Sequence, residues 1–222
     1  VKTKAWLRHY FEEQIYPVVT PLAVDSGHPF PFLANNTINA IVRIFQVQPD
    51  GTKDYKIAIL PIPSVLDRII EVPSSSNKEH RFVYLEDVIS YYAIQFFQGY
   101  GIEEAMIFRL TRDADLEIDE EDAKDLLTEV EASLRRRRRG DAVRLEVVGA
   151  GSPELLRTVL ASVELEEKDV YHIDGHLDCR MYFDFSNYPG YDNLRYKPFE
   201  PKIPSDLIGF EGENLLDVIR NR

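Results

Sequence analysis

This sequence predicts an α+β fold, a mixed sheet with an N-terminal hairpin and several packed helices. Three observations lead there. Two β-rich runs, Ile38 to Gln48 and Tyr55 to Leu60, flank Pro49, Asp50 and Gly51, the pattern of two strands joined by a tight turn. Further along, strand-like segments alternate with amphipathic helical ones, so later strands need helical connections that a pure meander lacks. The chain has 222 residues, 44% of them hydrophobic, enough to bury one sizeable core.

Each element has a local reason. Trp6, Leu7, Tyr10, Phe11 and Ile15 recur at helical spacing, which predicts an opening helix that docks by its aromatic face and ends before Pro17 and Pro21. His28-Pro-Phe-Pro-Phe32 follows as an extended connection, since proline fixes φ in itself and restricts its predecessor. After the hairpin, Arg81 to Tyr84 reads as a short strand leading into a helix from about Leu85 to Phe97, with Gly99 as its stop. Glu104 to Thr111 is a predicted strand. Asp119 to Arg136 is a predicted helix with Asp119 as N-cap and Leu126, Leu127, Val130 and Leu134 on its buried stripe. Ala142 to Val148 alternates as a strand, and Ser152-Pro153 carries the cap and first-turn chemistry of a helix whose apolar face runs from Leu155 to Val163. From Ser186 to Ser205 the composition shifts to Pro, Asn and Tyr without periodicity, which reads as a loop or linker.

Charge and composition exclude several classes of function. The formal net charge is −12 and the pI is near 4.9, a field that repels nucleic acid and anionic membrane. No stretch approaches the roughly 18 to 20 apolar residues of a transmembrane helix, and the N-terminus lacks a secretory signal. With the single cysteine, Cys179, these features give a cytoplasmic protein as the expectation. The chain starts at Val1 and stops inside the amphipathic run Leu215, Leu216, Val218 and Ile219, so both ends are expected to be cuts.

Candidate sites are few. His172 and His176 stand four apart with Asp174 and Asp178 nearby, but Gly175 between them argues for a turn over a helical metal site. Asp113, Asp115, Glu117, Asp119 and Glu121 alternate like a calcium loop, yet Ile118 and Lys124 occupy the positions where glycine and glutamate are required. Those carboxylates suit the positive end of the following helix instead. Gly149-Ala-Gly151 resembles a phosphate loop, but Glu154 replaces the third glycine, so capping by Ser152 is the better account. The run Arg135, Arg136, Arg137, Arg138 and Arg139 either complements the negative end of its helix or grips phosphate. Arg43, Arg109 and Arg144 lie in predicted strands on the face opposite the most apolar positions, and need partners such as Glu146 or the acidic helix. Tyr182, Phe183, Phe185, Tyr188, Tyr191 and Tyr196 crowd one irregular stretch that is expected to pack against a surface.

Three segments carry a family resemblance: WLRHYFEEQIYPVVTPLAVDSGHPFPFLANNTINAIVRI from Trp6 to Ile44, FRLTRDADLEIDEEDAKDLL from Phe108 to Leu127, and RRRRRGDAVRLEV from Arg135 to Val147. In this order they closely resemble bacterial-type polyphosphate kinase, at its head or middle domain. The resemblance implies that residues 1–200 form this domain and that 201–222 are a linker and the truncated start of a catalytic domain. It also implies an ATP- and magnesium-dependent phosphotransferase with a phosphorylated histidine, whose catalytic residues lie outside this chain. No catalytic, cofactor-binding or metal-binding residue is therefore assigned here, and the fragment alone is expected to be inactive. Its expected partners are a second copy in a homodimer, the neighbouring domains and, for the whole enzyme, polyphosphate. The alternative is a stand-alone module that binds polyphosphate or a protein through Arg135 to Arg139.

Overall fold

Ile38 to Val42 are all buried, and a strand apolar on both faces belongs in the middle of a covered sheet. The computed structural model, which describes residues 2–74, 76, 79–113, 140–202, 216 and 220, places it there. The helix expected from Asp119 to Arg136, the acidic run beyond Asp113 and most of the closing run fall outside the described residues. Contacts divide the chain into two units, Val1–Met181 and Tyr182–Arg222.

The first unit holds β1 (Leu22–Val24), β2 (Ile38–Val47), β3 (Lys53–Pro61), β6 (Gly101–Arg112), β7 (Ala142–Val148) and β8 (Val170–Ile173), arranged in the order β1-β3-β2-β6-β7-β8. All neighbours are antiparallel except β7 and β8, which run parallel. A parallel pair requires a crossover, and α3 (Pro153–Val163) supplies it. The sheet is thus mixed, and the fold is α+β. A separate two-stranded sheet pairs β4 (Ile69–Val72) with β5 (Arg81–Tyr84).

The hairpin forms where its turn residues stand. Gly51 takes φ +85°, and the Gln48 N–H donates to the Thr52 carbonyl at 2.8 Å to close it. Ser152 caps α3, its hydroxyl accepting from the Leu155 N–H, with Pro153 in the first turn. Such a cap is worth about 1 kcal/mol.

Two helical layers cover the sheet. On one face α1 (Lys2–Tyr10), the turn after it and α2 (Leu85–Tyr92) pack Phe11, Ile15, Leu85 and Ile89 against Ala40, Val42, Ala58 and Leu60. On the other, Leu155, Val159 and Leu160 of α3 pack against Ile41, Ile59, Phe108, Leu145 and Val147. Alternate residues of β2 serve the two cores, as the period-2 geometry of a strand demands.

The details depart from regular helices in two places. The opening helix finishes as a π turn over Phe11–Ile15, with the Tyr16 N–H donating to the Phe11 carbonyl at 2.8 Å, which lets both fully buried end residues face the core. The helix expected to reach Phe97 stops being α-helical at Tyr92, and Ala93–Phe96 tightens to a 3₁₀ turn. Phe96 there sits edge-on to Phe11 and stacked on Tyr16, with ring centroids 5.4 and 5.2 Å apart. Strands β1 and β4, of three and four residues, are too short for alternation to reveal them.

Candidate functional site

Charged groups cluster on both faces of the large sheet. On the α3 face, the Arg43 guanidinium lies 4.2 Å from the centre of the Tyr55 ring and donates to Glu154 in the first turn of α3. Glu104 and Glu103 stand 3.6 and 3.8 Å from it. Ser152 donates its hydroxyl proton to Glu104. Beside this cluster a cleft of about 540 Å³ is lined by Val24, Asp25, Tyr55, Lys56, Arg157 and Thr158, among others. Arg43 therefore shares the face of Ile41 and the α3 core, which corrects its assignment to one face with Arg109 and Arg144. Because β2 is buried on both sides, its apolar positions do not mark a single inner face.

Gly151 is explained by packing. Its φ is +67°, and an added Cβ would stand 2.9 Å from Val147 Cγ1 and 3.0 Å from Met106 Sδ. The glycine-rich joint lets the chain turn tightly over the core, while Glu154 holds an arginine in place of a phosphate.

A second network lies on the opposite face, where two of the strand arginines find the partner foreseen for them. Arg109 Nε donates to Glu146 Oε2 at 2.5 Å, and Arg144 stands 2.9 Å from Glu146 Oε1 with its guanidinium over Tyr171. Arg109 also faces Asp178 at 3.5 Å. Nearby, Arg68 grips the 2% exposed Glu86 with Nε and NH2 and donates NH1 to the Asp178 carbonyl at 2.7 Å. His176 stacks on Tyr84 and stands 3.5 Å from Glu86. Neither Arg68 nor Glu86 was identified from sequence. The network joins β4–β5, α2, β6, β7 and the loop after β8.

Asp178 shows how strongly this network polarises its members. Its hydrogen bond with the Arg180 side chain holds the carboxyl down to about 2, against the cost of burial and with help from the Arg180 N–H, the Arg180 charge and Arg109. A depressed carboxyl stabilises the fold fully above its unfolded value near 4 and loses that contribution as pH falls toward 2. Asp178→Asn is accordingly expected to lower stability by about 1–2 kcal/mol at pH 7, with the gap to the unmodified chain closing between about pH 4 and 2. Urea unfolding at both ends of that range measures it.

All five histidines have partners. His9, His28 and His80 each face an exposed carboxylate, at 3.2, 3.0 and 2.8 Å. His172 Nδ1 lies 2.9 Å from the Gly149 carbonyl, in a strand and a turn, as Gly175 indicated. His176 reaches a buried carboxylate, Glu86, at 3.5 Å. Among the described residues no three His, Cys, Asp or Glu side chains are placed to hold a metal ion, and no helix is long and apolar enough to cross a membrane. Arg135 to Arg139 lie outside the described residues. In the second unit, Arg195 ties its own loop by donating to Ser186, Tyr188 and Asp192, while Phe183, Tyr196 and Phe199 stay exposed.

This arrangement can hold elements together.

Comparison with known proteins agrees with the fold. A family model described as "Polyphosphate kinase middle domain" matches residues 2–185. The chain is 40% identical over 224 residues to a polyphosphate kinase of Halalkalibacterium halodurans, covering 100% of this chain and 31% of that protein. It is 37% identical over 219 residues to one of Pseudomonas syringae pv. tomato, covering 98% and 29%. The chain thus spans less than a third of these curated relatives. Among solved structures it is similar to polyphosphate kinase from Porphyromonas gingivalis, with a TM-score of 0.68 at 22% identity over 99% of this chain and 30% of that one.

Proposed function

This chain belongs to the polyphosphate kinase family, at the middle domain, and we propose that it serves an ATP:polyphosphate phosphotransferase as a non-catalytic head domain. In this reading it joins two copies of the enzyme and positions the catalytic domains. The observation that carries the reading is the ion network: the buried acids and bases of the first unit are engaged with one another across separate elements, which suits a rigid support. ATP, magnesium and polyphosphate belong to the whole enzyme, in the cytoplasm.

A net charge of −12 opposes capture of a long polyanion, and self-association in this reading rests on local apolar contacts. Sedimentation of the 222-residue chain over a concentration series, with and without polyphosphate, tests this. The expected result is a concentration-dependent dimer that polyphosphate leaves unchanged. A strict monomer that gains mass only with polyphosphate would favour the binding module built on Arg135 to Arg139.

A further inference from the structure

We propose that the loop 174–180 is a pH-sensitive latch, in which protonated His176 clamps the loop to α2 and loss of that proton loosens it just ahead of the second unit. The imidazole sits between two carboxylates of one helix turn. Its Nδ1 is 3.5 Å from Glu86 Oε1, its Nε2 is 3.9 Å from Asp87 Oδ2, and its ring stacks on Tyr84 of β5 with centroids 3.4 Å apart. Glu86 is deeply buried and Asp87 is exposed, so the ring bridges an inner and an outer negative group.

The surrounding charges set the sign. Arg68 offsets Glu86 through its two-pronged contact. Arg109, from β6, is taken up by Glu146 and Asp178, and Arg144 by Glu146. On the loop itself, Arg180 is paired with Asp178, and Asp174 adds a further carboxylate. The ring thus faces an excess of negative charge, supplied mainly by Asp87. Protonation adds attraction between loop and helix, and raising the pH through the range in which histidine loses its charge removes it.

The loop has three anchors, of which one is an imidazole. Leu177 is buried in the first unit. The Asp178 carbonyl accepts from Arg68, and its carboxyl, held at about 2 by Arg180, stays ionised. His176 is the third. Gly175 and Asp178, at φ +135° and +57°, shape a tight turn of non-repetitive backbone, the kind of segment that opens locally without global unfolding. Chain partition falls immediately after it, between Met181 and Tyr182.

Amide hydrogen exchange of peptides spanning 174–181 tests the latch, with rates corrected for the intrinsic pH dependence of exchange. In the unmodified chain, protection is expected to fall roughly two- to five-fold between pH 5.5 and 8, while peptides from β2 and β6 stay constant. His176→Phe keeps the stacking ring without the charge and is expected to abolish that slope. Asp87→Asn, at an exposed position, gives a second variant with a reduced slope. A pH-independent loop in the unmodified chain, or an unchanged slope in His176→Phe or in Asp87→Asn, would overturn the proposal.

Discussion

Arg68→Ala is expected to cost about 3–5 kcal/mol of stability at neutral pH, seen as a large fall in the denaturant midpoint. Arg68 holds both oxygens of Glu86 from Nε, at 3.1 Å each. Removing the guanidinium leaves a 2% exposed carboxylate with the more distant His176 beside it. The loss measures an uncompensated buried charge, more than the net value of the pair. The double variant Arg68→Met with Glu86→Leu separates the two, because replacing both ions with apolar groups of similar size is often close to neutral. Arg68→Ala also removes the donor to the Asp178 carbonyl, so the loop after β8 is expected to exchange its amides faster in that variant.

Phe108→Ala is the second large effect, about 3–5 kcal/mol. Phe108 is 0% exposed on β6, within the core that Ile41, Ile59, Leu145, Val147, Leu155 and Val159 form between sheet and α3. Truncation removes apolar contact and leaves a cavity that a backbone fixed by strands on both sides closes poorly. Val47→Ala, at a 60% exposed position near the end of β2, is expected to change stability by no more than about 0.5 kcal/mol. Urea unfolding of both variants checks the contrast.

Much of this fold is legible wherever residues a few positions apart decide the outcome. Pro49-Asp50-Gly51 announces the hairpin because a two-strand turn needs those backbone angles, and Ser152-Pro153 announces α3 because the cap and first turn are local chemistry. The partnership of Arg109 and Arg144 with Glu146 is equally accessible, since β6 and β7 were both predicted and the three side chains alternate onto one face. What escapes is non-local. Arg68 and Asp178 are 110 residues apart, and nothing near either signals the other. Arg43 is misplaced because β2 is apolar on both faces, so alternation carries no sign of inside and outside. The 3₁₀ turn after Tyr92 follows from aromatic packing against the opening helix, a contact that helical periodicity does not contain.

The same distinction applies to function. The three quoted segments carry the family, and the family model covering residues 2–185 agrees with them. The structural reasons for a supporting role lie in ion pairs that only the fold assembles. Incubating the pure 222-residue chain with ATP labelled in its terminal phosphate, magnesium and a polyphosphate primer tests that role most directly. The account predicts no label on protein and none in polyphosphate. Label on any of the five histidines, or growth of labelled polyphosphate, would contradict it.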